Sequence, residues 1–275
     1  DDVGPVIVRF GIAMIIIPVV AVALRFWSRA LGLGTKSSDG RRFWWDDWAA
    51  LAVLPFSIAQ SAIFMHWTKL GLGRHMSTLD PKDIEGGLIL LFAVYFPYNI
   101  AVALTKLSAI LFYARVFNTK GNRAFKIALW AAAFFVSAIL TFSIFETIFQ
   151  CTPVKKAWSA ATPGSCINEQ AAWYAHAVLS VVADIFVLAL PLPMLWKLQL
   201  KWSQKFLVSG VFVCGYGVTA ISIGRLVANV NMPINTLFAD ITWNVVPILY
   251  WLLVEAPLSV LSICLPNIFS LFKHL

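Results

Sequence analysis

Residues 87–117, GLILLFAVYFPYNIAVALTKLSAILFYARVF, decide the fold. At about 1.5 Å per residue this stretch outruns the ~30 Å hydrocarbon core of a bilayer, so it reads as a tilted transmembrane helix containing one proline, Pro97. Its polar residues fall in a row. Tyr95, Asn99, Lys106 and Tyr113 are spaced by four, seven and seven, which on a 3.6-residue repeat is a single stripe. A bare ammonium in mid-span is costly, so Lys106 is expected to face protein and hold an anionic partner.

Composition agrees with that reading. The 275 residues are 60% hydrophobic, 14% aromatic and only 12% charged, with a mean hydropathy of +0.80. A soluble domain carries about a quarter charged residues. The chain therefore reads as an all-α polytopic protein whose partner is the lipid bilayer, in the plasma membrane or an endomembrane. The net charge of +8 belongs to loops at a membrane surface, and no motif for reading nucleic acid is present.

Working outward, seven apolar spans emerge at about 5–27, 44–69, 87–117, 127–149, 171–198, 206–228 and 240–265. The first is too long for a cleavable signal and is expected to belong to the bundle. No internal repeat or second domain is visible, so residues 1–275 are expected to form one seven-helix transmembrane domain. Arg25, Arg29, Lys36, Arg41, Arg42, Arg115, Lys120, Arg123, Lys126, Lys197, Lys201, Lys205 and Lys273 lie on one side. Lys69, Arg74, Lys82, Lys155 and Lys156 lie on the other. The positive-inside rule then puts the N-terminus outside and the C-terminus in the cytosol. Cys151 and Cys166 share an outer loop and are expected to form a disulfide worth about 3 kcal/mol in a loop-entropy picture. No C-x-x-C or H-E-x-x-H pattern suggests a metal, and no cofactor is implied.

The spans carry further polar residues. His176, Ser180 and Asp184 recur every four residues in the fifth. Asp240, Asn244, Pro247, Trp251 and Glu255 make one stripe in the seventh, with Trp243 beside it. Glu146 lies near the outer end of the fourth, and the sixth offers Tyr216, Thr219, Ser222 and Arg225. Counting residues from the cytosolic ends, Lys106, Glu255 and Asp184 sit at ~17, ~15 and ~20 Å. Lys106 is therefore expected to pair with Glu255 or Asp184, while Glu146, His176, Arg225 and Asp240 cluster at the outer mouth. Asp46 and Asp47, opening the second span in WWDDW, read as carboxylates at the positive end of a helix dipole.

The combination of WWDDW, KLSAILFYARVF, CTPVKKAW…GSC, ADIFVLALPLPMLWKLQL and WLLVEAPLSVLSICLP resembles the fungal rhodopsin-domain family over nearly the whole chain. That family includes pathogenicity-associated receptor-like proteins and membrane proteins of secondary-metabolite clusters. The resemblance implies a seven-helix bundle with its N-terminus outside. It does not imply retinal, because the seventh span contains no lysine for a Schiff base. Coupling to a G protein is unsupported by motif. Tyr113-Ala114-Arg115 only echoes an acidic-arginine-tyrosine switch, and Asn244…Pro247…Tyr250 lies in the outer half of its span.

Two function classes follow. The first is a receptor-like bundle that binds a small lipophilic molecule through Tyr95, Asn99, Lys106, His176, Arg225, Trp243, Asn244 and Trp251. The second is a membrane-embedded, cofactor-independent acid/base cyclase or epoxide hydrolase of secondary metabolism. In that case Asp184, Glu255, Glu146 or Asp240 is the acid or base.

Overall fold

The stretch around Lys106 folds as one helix, α3 (Pro81–Val116), which continues through Pro97 for 36 residues. It starts earlier than the apolar pattern does. Pro81 suits a first helical turn, and Asp83 lies at the positive end of the dipole. The computed structural model describes residues 2–33, 42–117, 123–159, 161–193 and 202–273, with the backbone alone at 202–214, 234 and 235.

The other elements are α1 (Gly4–Ala30), α2 (Trp45–Lys69), α4 (Arg123–Phe149), α5 (Glu169–Ala189), α6 (Trp202–Asn231), α7 (Ile234–Ala239), α8 (Ile241–Asn244) and α9 (Val246–Phe272). Among the described residues, six helical stretches are long and apolar enough to cross a membrane, namely α1 to α5 and the α8–α9 segment. Helix α6 adds a further 30-residue helix. The chain is an all-α, multi-pass integral membrane protein.

Each helix packs on the next from α1 to α6, α6 packs on α9, and α9 returns to α1, while α3 also touches α5 and α9. The burial pattern is that of a protein in lipid. Trp130 and Phe134 are 70% and 77% exposed, whereas Arg25, Asp46 and Asp47 are fully buried. With hydrocarbon outside, polar groups must find partners within the bundle. Ser137, Thr141, Thr147 and Ser259 do so locally, each donating to the carbonyl four residues back. Helices α2 and α3 approach closely at Gly87. A Cβ there would lie 2.4 Å from Trp67 Nε1, so only glycine leaves room for the buried indole.

Two sequence expectations need correction. The seventh span is not one continuous helix from Asp240. Pro247 lacks an amide proton, and the chain forms the four-residue α8, breaks at Val245, and restarts as α9, which runs on to Phe272. Asp240 stands ahead of α8 with a non-helical backbone and so leaves the stripe. The fifth span is expected to reach 198, but α5 ends at Ala189, and 194–198 lie outside the described residues. So do Lys36, Arg41, Lys120, Lys197 and Lys201, together with the side chain of Lys205.

At one end, β1 (Cys151–Thr152) and β2 (Ser165–Cys166) pair antiparallel, with Cys151 opposite Cys166. The two cysteines are joined as a disulfide. The Asn168 side chain accepts from Ala171 N and so starts α5 directly after this hairpin.

Candidate functional site

Lys106 of α3 meets Asp184 of α5 in an ion pair whose carboxylate is buried and whose ammonium is partly buried. The second carboxylate pairs elsewhere. Arg225 Nε of α6 lies 2.9 Å from Glu255 Oε2 of α9, with both side chains at most 3% exposed. The approach is at ion-pair distance but off hydrogen-bond geometry, and Arg225 Nη2 has no hydrogen-bond partner among the described residues. Tyr98 OH donates to the same Oε2 at 2.6 Å, and its ring lies 5.5 Å beneath the Arg225 guanidinium. Ser180 Oγ donates to Glu255 Oε1 at 3.2 Å.

Ser222 joins the two pairs. Its Oγ is 2.6 Å from Asp184 Oδ2 and 3.0 Å from Glu255 Oε1. One hydroxyl carries one proton, so it donates to one carboxylate at a time and links their arrangements. The i, i+4 spacing on α5 aims His176, Ser180 and Asp184 at this core. His176 Nε2 lies 2.8 Å from Asn99 Oδ1 of α3. Pairing offsets much of the cost of burying four charges.

Cavities lie on both sides of the network. Toward the disulfide hairpin, Tyr95, Asn99, Glu146, Trp173, His176, Arg225 and Asn229 line about 480 Å³ including its mouth. Toward the other end, Lys106, Asp184, Tyr113, Thr219, Ser259 and Ser262 line about 620 Å³, again including its mouth. Arg225 thus faces one cavity, and the Lys106–Asp184 pair faces the other.

A second charge cluster closes the end away from the hairpin. Arg25 Nη2 donates to Asp46 at 2.7 Å, its Nε to Asp47 at 2.8 Å and its Nη1 to Ile263 O at 2.6 Å. Arg115 Nη1 reaches Asp46 at 3.0 Å and Asp47 at 2.9 Å. Arg29 approaches the same two carboxylates at 3.7 and 3.4 Å. All five side chains are at most 2% exposed. This corrects the expectation that Arg29 belongs to a basic loop, and that Arg25, Arg29 and Arg115 count toward the charge at the membrane surface. They sit inside helices, where hydrocarbon surrounds the bundle, and so turn inward to the acids. Asp47 also accepts from Trp44 N at 3.1 Å, so its helix-start role stands beside the ion pairs. The missed signal was the i, i+4 spacing of Arg25 and Arg29 opposite two adjacent acids.

The fungal rhodopsin domain family model matches residues 24–274. The chain belongs to that family. It is similar to a SAT4 family membrane protein of Emericella nidulans, at 31% identity over 75% of this chain and 51% of the relative. It is also similar to the polyenoic acids biosynthesis gene cluster protein Ba17b of Metarhizium anisopliae, at 26% identity over 90% of this chain and 68% of the relative. Receptor GIN3 of Arthrobotrys oligospora is 25% identical over 80% of this chain and 51% of the relative. The chain spans roughly half to two-thirds of the length of these relatives. No solved structure matches it.

The remaining candidate residues of this fungal rhodopsin domain lie outside the core network. Asp240 straps the hairpin end. Its Oδ2 lies 2.6 Å from His75 Nδ1, and its Oδ1 accepts from Met76 N at 2.9 Å. Trp243 stacks on the His75 ring at 4.5 Å, and Asn244 Nδ2 donates to Thr236 O at 2.8 Å. Trp251 is 38% exposed and packs on α6, where a Cβ on Gly224 would meet it at 2.6 Å. Asp240, Trp243 and Asn244 therefore pack at the hairpin end, while Trp251 lies against α6. Tyr98 and the bridging role of Ser222 are additions that sequence reasoning missed, since Tyr98 falls between two residues of the recognised stripe.

The strap gives the fungal rhodopsin domain an acid dependence. Burial pushes the Asp240 carboxyl up, but the Met76 amide, the hydrogen bond and charge of His75, and Thr242 outweigh it, leaving the pKa below 3.8. A depressed folded pKa contributes stability above the unfolded value and loses it as pH falls through the folded value. The melting temperatures of the parent protein and Asp240→Asn should therefore converge below about pH 4. A gap that stays constant down to strongly acid pH contradicts this role.

Proposed function

We propose that the chain crosses the bilayer seven times, with its N-terminus outside, and acts as a receptor-like bundle for a small lipophilic molecule. With Arg25, Arg29 and Arg115 set aside as buried, the remaining basic residues still favour the end away from the hairpin as cytosolic. The observation that carries the function is the position of the network between two cavities. A molecule touching Arg225 on the hairpin side acts on Glu255, through Ser222 on Asp184, and so on the walls of the far cavity. The name of receptor GIN3 supports the same class by analogy.

The test perturbs one cavity and reads the other. Alkylation of the cysteine introduced by Ser262→Cys is followed by peptide mapping, with and without Arg225→Gln/Glu255→Gln. A change of about fivefold or more is expected, the lower end of ordinary coupling between sites. An unchanged rate sinks the reading.

The enzyme reading rests on a different observation. Glu146 lines the hairpin-side cavity and has no hydrogen bond or ion pair among the described residues. The oxygens of Asp184 and Glu255, by contrast, are already engaged by cations and hydroxyls. Several relatives, including Ba17b, also carry the names of biosynthesis clusters. In that case Glu146 is the general acid or base. Membranes fed a polyene epoxide should then form a new product that Glu146→Gln abolishes; absence of any product removes this reading.

A further inference from the structure

We infer that the hairpin-side cavity takes an uncharged amphiphile of the β-hydroxyketone class, with its polar head on Arg225 and Asn229 and its apolar body beneath the hairpin. This deepens the receptor-like reading of the same site and rests on it.

Two buried atoms define the head. Arg225 Nη2 and Asn229 Oδ1 have no hydrogen-bond partner among the described residues, and their residues are 2% and 7% exposed. Both residues line the cavity. The first is a donor that needs an acceptor, and the second is an acceptor that needs a donor. Leaving such groups buried and unmatched is costly, and a molecule that satisfies both gains accordingly. A carbonyl beside a hydroxyl supplies one of each.

Charge excludes an acid in that position. Arg225 is already matched by Glu255 at 2.9 Å, and Glu146 lines the same cavity. An anionic head would face two carboxylates across one guanidinium in a low-dielectric site. A cationic head would meet Arg225. A neutral head has neither conflict.

The body has its own seat. A second cavity, lined by Leu88, Leu91, Phe92, Ala157, Phe238 and the carboxylate of Glu169, shares Tyr95, Gln150 and Trp173 with the first. The chamber with the two unpaired atoms therefore adjoins one where Leu88, Leu91, Phe92 and Phe238 can take an apolar body, and Glu169 there is a further carboxylate against an acid.

The test uses the full chain in lipid nanodiscs and two photoactivatable probes. One is a long-chain β-hydroxy methyl ketone and the other the β-hydroxy acid of equal length, each with a terminal diazirine. The ketone is expected to label peptides containing residues 88–92 or 238 saturably, with an apparent affinity about tenfold above that of the acid. Glu146→Gln, at a part-exposed position, should narrow that gap by improving the acid. Asn229→Leu should weaken the ketone about fivefold, and Leu91→Trp should abolish labelling by filling the apolar seat. Equal or better labelling by the acid, labelling confined to lipid-facing segments such as 130–134, or no saturable labelling each overturns the proposal. The last outcome is also the one expected if only water occupies the polar chamber. Ketone labelling without a change in alkylation at position 262 would sink the receptor-like reading and leave the ligand class standing. Altered alkylation with acid-preferring labelling would do the reverse.

Discussion

Lys106→Met alone is expected to destabilise the protein by about 3–5 kcal/mol, because Asp184 then stays buried without its cation. The contribution of the pair is not the energy of the contact taken alone. An ammonium and a carboxylate each lose hydration when buried, and their attraction offsets much of that loss. Removing both charges should therefore recover a large part of the damage. Lys106→Met/Asp184→Asn keeps a side chain that still meets Ser222 at the Oδ2 position. Thermal unfolding of the three proteins in one lipid composition gives the comparison. A double variant as unstable as the sum of two singles would show that the charges act independently.

Arg25→Met is expected to do at least as much harm, again about 3–5 kcal/mol. Arg25 is fully buried and spends three donors on Asp46, Asp47 and the Ile263 carbonyl. These contacts tie α1 to α2 and to α9 at once. Arg25→Lys should not rescue the loss, since an ammonium cannot reproduce a planar fork that spans two carboxylates and a carbonyl. Yield of monodisperse protein and melting temperature are the measurements. Full recovery with lysine would mean that charge alone matters and that the hydrogen-bond geometry does not.

Much of this was legible from spacing. The stripe on 87–117 put Lys106 inside the bundle, and the four-residue repeat put Asp184 on one face with His176 and Ser180, at a depth similar to that of Lys106. Depth counting could not choose between Asp184 and Glu255, because both fall at a similar level. Helix α3 adjoins both α5 and α9, so adjacency does not choose either; Arg225 of α6 holds Glu255, and Lys106 pairs with Asp184. The disulfide was legible because its two cysteines share a single short connection. The arginine cluster was hidden by a rule that works for loops. Positive-inside counting treats every basic residue near a helix end as solvated, whereas α1 continues past Arg25 and Arg29 to Ala30. The last span misled for the opposite reason. A regular stripe was extended back to Asp240, which stands ahead of the helix with a non-helical backbone and goes to the His75 strap.

The central claim is that the two ion pairs form one unit through Ser222. Double-mutant cycles on unfolding stability test it most directly, neutralising Lys106–Asp184 as one change and Arg225–Glu255 as the other. Groups within one network couple by about 0.5–3 kcal/mol, whereas independent sites add to within about 0.5. Coupling is expected in the parent protein, with additivity once Ser222→Ala removes the shared hydroxyl. Additivity already present with Ser222 in place would contradict it.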